Sequence, residues 1–273
     1  MAAPPPPAPP APKLAENASE SADKPKREIK LMQKKGSLVE KKLATLAWRD
    51  GRGNQEHYAL EVDGVQLSMA QKKLGEISGL GTGGNVWNAV IVFSKWLEKN
   101  YGQGKHKDMW KGKTIMELGS GTGMGGIVCA QIMKGASHIV LTDQKQVLPI
   151  IEENINRNRD RIPELQVTSV REFEWGSDVK SFVDPVSPPF DWIVACDCIA
   201  PIFPLHLLLQ SLIELSDENT TILVGSEQRQ FTQSFWDGAH QAFDISQIPE
   251  EEMDPRYCAE DIQVFFFKKK KKV

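Results

Sequence analysis

The sequence predicts an α/β fold built on a doubly wound, mostly parallel sheet, with a β-hairpin in front of it. Three observations carry this expectation. Apolar strand-like runs alternate with amphipathic helical runs through most of the chain, the pattern of parallel strands joined by crossover helices. Thr114 to Asp143 reads as a strand, a glycine turn, a helix and a second strand ending in a carboxylate. Asp63-Gly64 falls between two alternating runs, His57 to Val62 and Val65 to Met69, which is a strong hairpin signal.

The stretch from Thr114 to Asp143 points to a ligand site. Ile115, Met116 and Leu118 suit a buried parallel strand. Gly119-Ser120-Gly121, followed by Gly123, lets the backbone turn tightly and approach a ligand with no side chain in the way. A helix from Met124 to about Lys134 would aim free amides at that ligand. Asp143, at the tip of the next strand, can accept hydrogen bonds from two ribose hydroxyls, so the unit describes a nucleoside site at the carboxyl end of a parallel sheet. Gly121, Gly123 and Gly126 also satisfy G-x-G-x-x-G, which leaves a dinucleotide open. Glu117 argues against one. A carboxylate two residues before Gly119 repels a pyrophosphate but suits the positive amino-acid end of S-adenosylmethionine. Gly112-Lys113-Thr114 is not the tail of a Walker loop, because the leading glycine would fall at Lys107 and the run precedes the strand.

The remaining elements follow in order. Residues 1–36 are proline- and alanine-rich, then lysine-rich, and cannot bury enough apolar surface to offset their ordering entropy; a disordered tail is expected. Residues 37–84 form an extension holding the hairpin, and residues 85–267 the main domain. Val86 to Asn100 places Val86, Val90, Phe93, Trp96 and Leu97 on one helix face, with Asn85 as a candidate N-cap. After Asp143 come a helix from Lys145 to about Arg159 and a third strand, Leu165 to Val170. Then follow Phe173-Glu174-Trp175-Gly176 and a proline-rich loop, Ser181 to Pro189. Phe190 to Cys196 is a fourth strand ending in Asp197. Phe203 to Leu215 is a leucine-faced helix, Thr220 to Gly225 a fifth strand, and Phe231 to about Ala242 a helix. Phe243 to Ile245 and Ile262 to Phe267 supply a closing hairpin, before a lysine-rich tail at 268–273.

Composition bounds the function. The net charge of −3 over 273 residues excludes a whole-protein field that gathers nucleic acid. The four cysteines are few and scattered, which suits free thiols in a reducing compartment, cytoplasmic or nuclear. Cys196-x-Cys198 lacks the second pair that zinc would need. No apolar run reaches the roughly 18 residues of a membrane span, and the proline-rich start lacks the apolar core of a signal peptide. A monomer with no membrane partner is expected.

The ordered motif set resembles the seven-β-strand methyltransferases, and within them the protein-lysine methyltransferases of family 16, the METTL21-like group. The matching stretches are Val86-Trp87-Asn88-Ala89, Glu117 to Gly123, Leu141-Thr142-Asp143, Glu174-Trp175-Gly176 and Phe190 to Asp197. The resemblance implies S-adenosyl-L-methionine as cofactor and a protein lysine as substrate. It implies that Trp87 packs near the cofactor and that Gly119 to Gly121 follow its amino-acid and ribose parts. Asp143 would hold the ribose, Trp175 would lie by the adenine, and Cys196 would end its strand against the cofactor. Asp197 would orient the substrate amine. The family carries Asp-x-x-Tyr here, and this chain has Ala200 at the tyrosine position.

Overall fold

The computed structural model describes residues 46–49, 55–72, 81–181 and 186–271. The expected tail at 1–36 lies outside them, as do parts of the Gly75–Asn85 and Ser181–Pro189 loops.

The hairpin comprises β1 (His57–Val62) and β2 (Val65–Ala70), paired antiparallel. Its turn is the expected Asp63-Gly64, with φ of 51° and 77°. Positive φ at both central residues matches the right-handed twist of the flanking strands. The rest of the described chain runs α1 (Asn88–Tyr101), β3 (Thr114–Leu118), α2 (Met124–Ile132), β4 (His138–Asp143), α3 (Leu148–Asn158), β5 (Thr168–Glu172), β6 (Trp192–Cys196), α4 (Leu205–Glu214), β7 (Thr221–Glu227), α5 (Gln233–Ala242), β8 (Phe243–Gln247) and β9 (Ile262–Lys269). Seven strands form one sheet in the order β5-β4-β3-β6-β7-β9-β8. The first five in that order are parallel, and β9 pairs antiparallel with both β7 and β8. Strand order reverses between β3 and β6. That is the switch point at whose carboxyl edge a doubly wound sheet binds ligands.

Two apolar layers cover the sheet. One gathers α1, α2 and the hairpin around Phe93, Trp96 and Ile127; the other gathers α4 and α5 around Leu208, Leu212 and Phe235. All nine residues of α2 are buried, which explains its lack of a polar face.

Four boundaries differ from the sequence reading. Asn85 does not cap α1. Its side-chain amide donates to Lys72 O at 2.5 Å, and α1 begins after Trp87. The third strand of the domain, expected at Leu165–Val170, is Thr168–Glu172, because Pro163–Val167 winds into a 3-10 turn that buries Leu165. The fourth strand starts at Trp192, since the Asp191 carboxylate accepts from Thr114 N and Lys113 Nζ. The last strand continues through Lys268 and Lys269. Lys268 Nζ donates to Thr221 Oγ1 at 2.7 Å and Lys269 Nζ to Ser216 O at 2.7 Å, so the lysine run begins as strand.

Candidate active site

The glycine turn sits between β3 and α2. Gly119 and Gly121 have φ of 64° and 54°, a left-handed conformation that favours glycine. Both are also crowded. A Cβ on Gly121 would stand 3.3 Å from Gly83 O. A Cβ on Gly119 would stand 2.8 Å from Cys198 Sγ and 3.0 Å from the Trp175 ring. The turn is tied to β4: Ser120 N donates to Thr142 O, and Thr142 N donates to Ser120 Oγ at 3.0 Å.

Two carboxylates flank this turn. Gly121 N donates to Asp143 Oδ2 and Gln144 N to Asp143 Oδ1, both at 2.8 Å. These bonds hold Asp143 at the turn and leave each oxygen a further lone pair. Burial raises its pKa, and the two amide bonds oppose the rise. Glu117 is 2% exposed. Its Oε2 accepts from Gly126 N at 2.9 Å, inside the first turn of α2, and a Cβ on Gly125 would meet Oε1 at 2.0 Å. Burial raises its pKa to about 8. The sequence reading set Glu117 against the positive end of a cofactor. In the structure its carboxyl lies under the helix terminus and holds α2 onto the turn.

The wall opposite comes from three loops. Trp87 Nε1 donates to Thr82 O at 2.8 Å, which ties the 81–84 loop beside Gly121. Gly176 N donates to Ser211 Oγ at 2.8 Å, docking the loop after β5 on α4. That sets the Trp175 ring against Gly119 and edge-on to Phe203, with centroids 5.7 Å apart. Cys196 and Cys198 point differently. Cys196 Sγ is 3.4 Å from the Cβ position of Gly225, whereas Cys198 Sγ meets Gly119 and donates to Leu118 O at 3.2 Å. Burial holds both thiols well above their ordinary range, so neither supplies a thiolate nucleophile.

Asp197 leaves β6 at φ 61°, a left-handed conformation that aspartate tolerates better than most residues. Its side chain is 3% exposed. Oδ1 accepts from Arg229 Nη1 at 2.6 Å, and the buried Oδ2 has no hydrogen-bond partner among the described residues. Arg229 also donates to Ile199 O at 3.4 Å and approaches Glu227 at 3.6 Å. Arg49 bridges Glu227 and Asp261 beyond. A charged chain thus runs from Asp197 outward.

The structure brings Glu117, Gly119, Ser120, Gly121 and Asp143 into one bonded cluster, with Trp175 against it and Trp87 behind the neighbouring loop. The sequence reading missed Arg229 and Asn154, and weighed Cys198 only as half of a metal pair. Asn154 on α3 pairs with both the N–H and C=O of Ala70 and donates to Thr122 O at 2.9 Å, so the hairpin braces the glycine turn. No local motif marks Arg229 or Asn154.

Sheet order, switch point and glycine turn define a Rossmann-like domain of the seven-stranded kind, with its site at the carboxyl edge. The chain belongs to the lysine methyltransferase family, whose pattern matches residues 65–240. It is 33% identical over 152 residues to the protein N-lysine methyltransferase METTL21A of Mus musculus, covering 55% of this chain and 63% of that protein. It is 29% identical over 176 residues to the EEF1A lysine methyltransferase 3 of Xenopus tropicalis, covering 64% and 69%. The chain thus spans somewhat less than two thirds of the METTL21A relative. A solved structure with the same fold, a putative SAM-dependent methyltransferase from Streptococcus mutans, aligns with a TM-score of 0.50 at 17% identity over 78% of this chain and 56% of that one.

Proposed function

We propose that this chain transfers methyl groups from S-adenosylmethionine to a lysine side chain of a protein substrate. One observation carries the reading. In a chain of the lysine methyltransferase family, a buried carboxylate with an oxygen unpartnered among the described residues, Asp197 Oδ2, stands at the carboxyl end of β6, next to the Cys198 that meets Gly119. The donor set suits the cofactor. The Asp143 carboxyl at the turn disfavours a pyrophosphate there, while Glu117 is taken up under the start of α2. The free lone pairs of Asp143 suit ribose hydroxyls.

When bound, the cofactor supplies an electrophilic methyl group on a sulfonium. The chain's own residues do the rest. Asp143 and the turn would hold the nucleoside, and Trp175, packed edge-on to Phe203, would flank it. Asp197 takes the incoming amine on Oδ2 while Arg229 keeps Oδ1 occupied and the carboxylate fixed. The amine must be neutral to attack. With an ordinary lysine pKa of about 10.4, losing the proton at pH 7 costs roughly 5 kcal/mol. A carboxylate is a poor base for that proton. Asp197 therefore orients the amine, and water takes the proton. Orientation is worth most where two reactants must align. A reducing compartment, cytoplasm or nucleus, accords with the four scattered cysteines.

A second reading is a non-catalytic cofactor-binding module. It is favoured by Ala200 at the family's tyrosine position and by the arginine already on Asp197. Radiolabelled S-adenosylmethionine and cell extract separate the two. Label recovered as methyl-lysine after protein hydrolysis is the expected result. Calorimetric binding of the cofactor with no label in protein would overturn the enzyme reading, and label in nucleic acid or small molecules would overturn the substrate class.

A further inference from the structure

Large apolar side chains are exposed at three described positions: Met109 at 36%, Ile202 at 69% and Phe231 at 86%. Met109 precedes β3, at the amino end of the sheet. The other two lie on the loops that leave β6 and β7, adjacent parallel strands, at their carboxyl ends. Arg229 ties these loops together at their base. Its guanidinium donates to Asp197 Oδ1 and Ile199 O on the first loop, while its own carbonyl accepts from Thr232 Oγ1 on the second. Ile202 therefore stands on the loop that carries the candidate catalytic carboxylate, and Phe231 on the neighbouring loop that Arg229 ties to it.

Phe231 is also held in an unusual state. Its φ is 65°, a region that bulky side chains rarely adopt, and its ring gains nothing from burial. Strain of this kind persists only where the surroundings impose it, and it clusters at functional sites. The bonds from Thr232 Oγ1 to Arg229 O and from Phe235 N to Thr232 O fix the turn on either side. Beyond Phe231 the surface continues as a cleft of about 500 Å³ between α5 and the β7-β9-β8 edge. Gln228, Gln247 and Gln263 line it. Each carboxamide offers a donor and an acceptor, the complement of a peptide unit.

Resting on the lysine-methylation reading, we infer that Ile202 and Phe231 form the docking rim for the substrate protein. They would grip apolar side chains next to the target lysine, while the extended chain beyond runs into the amide-lined cleft. An aromatic anchor beside an arginine is a common make-up of an interface centre. A small-molecule substrate would have no use for such a rim, and a nucleic acid would call for basic residues where these apolar ones stand.

Two fluorescein-labelled, acetylated peptides test this, one with a central lysine flanked by leucine and phenylalanine, the other flanked by serines. Binding to the full chain with S-adenosylhomocysteine is read by anisotropy. The apolar peptide should bind roughly 10- to 100-fold more tightly, as burial of one or two large side chains implies. Phe231→Asn, which tolerates the positive φ, combined with Ile202→Ser should erase that preference, and Met109→Ser should leave it intact. Equal binding of both peptides, binding of neither, or a preference that survives the double change would overturn the rim. Extract labelling by the wild type separates the two levels. Methyl-lysine formed with no peptide preference sinks the rim alone, whereas no cofactor binding and no labelled protein sinks the functional reading beneath it.

Discussion

Arg229 Nη1 lies 2.6 Å from Asp197 Oδ1, so the carboxylate assigned to a substrate amine already holds one cation, and its second oxygen is left for another. The pair spans the loops after β6 and β7 and is 97% buried on the aspartate side by side-chain exposure of 3%. Its geometry fixes the orientation of the carboxylate in a closed site.

Removing the arginine should therefore be costly. Arg229→Ala strands a buried carboxylate, and the expected loss is about 3 kcal/mol, the low end of the range for breaking a buried pair because Arg229 is partly solvated. In a chain of this size that corresponds to a fall in melting temperature of roughly 6–12 °C. The double variant Arg229→Ala/Asp197→Asn should recover part of it. Thermal melts of the four proteins in this cycle check the coupling; additive losses would contradict it.

The buried Glu117 predicts a pH dependence of stability. Its pKa is raised from 4.5 to about 8 on folding. Between those values the folded state binds the proton and the unfolded state does not, so stability falls as pH rises through this window. The slope is about 1.4 kcal/mol per pH unit for this one group. Glu117→Gln should flatten the dependence between pH 5 and about 8. Urea midpoints measured across that range give the answer, and an unchanged slope in the variant would remove Glu117 as its cause.

Gly119→Ala should abolish cofactor binding. The new methyl would stand 2.8 Å from Cys198 Sγ and 3.0 Å from Trp175, on a backbone at φ 64°. Cys198→Ala in the same chain relieves one contact and should restore stability in part, but not the left-handed strain. Calorimetry with S-adenosylmethionine reads the affinity. Wild-type affinity in the single variant would mean that the turn does not carry the nucleoside.

Much of this fold was legible locally. The parallel strands are short apolar runs, and Asp63-Gly64 specifies its turn by the backbone angles it permits. β5 was misplaced because its residues are half-exposed and carry no apolar period, while Leu165, the residue that looked like strand, is buried from a 3-10 turn instead. Within the site, the glycines and Asp143 could be read because the turn requires them in a fixed order. Glu117 was found by position, yet its hydrogen bond to Gly126 depends on how α2 sits over β3. Arg229 meets Asp197 across 32 residues of chain. Such a contact is decided by the pairing of β6 with β7, which no single stretch of sequence encodes.

Ala200 bears on substrate shape. It is 6% exposed, with its N–H on Cys198 O and its carbonyl accepting from Phe203 N. Restoring the family's tyrosine by Ala200→Tyr should overpack this loop, costing about 1–3 kcal/mol, and lower methyl transfer. Turnover raised by the change would instead mean that the hydroxyl is simply missing from an otherwise unaltered pocket.

The central claim is that Asp197 orients a lysine amine for methylation. The most direct test is methyl transfer from radiolabelled S-adenosylmethionine to protein in cell extract by Asp197→Asn, alongside its cofactor affinity. The substitution keeps the shape and removes the charge. The account predicts wild-type cofactor affinity with most of the methyl-lysine label lost. Label that survives undiminished would contradict the assignment of Asp197.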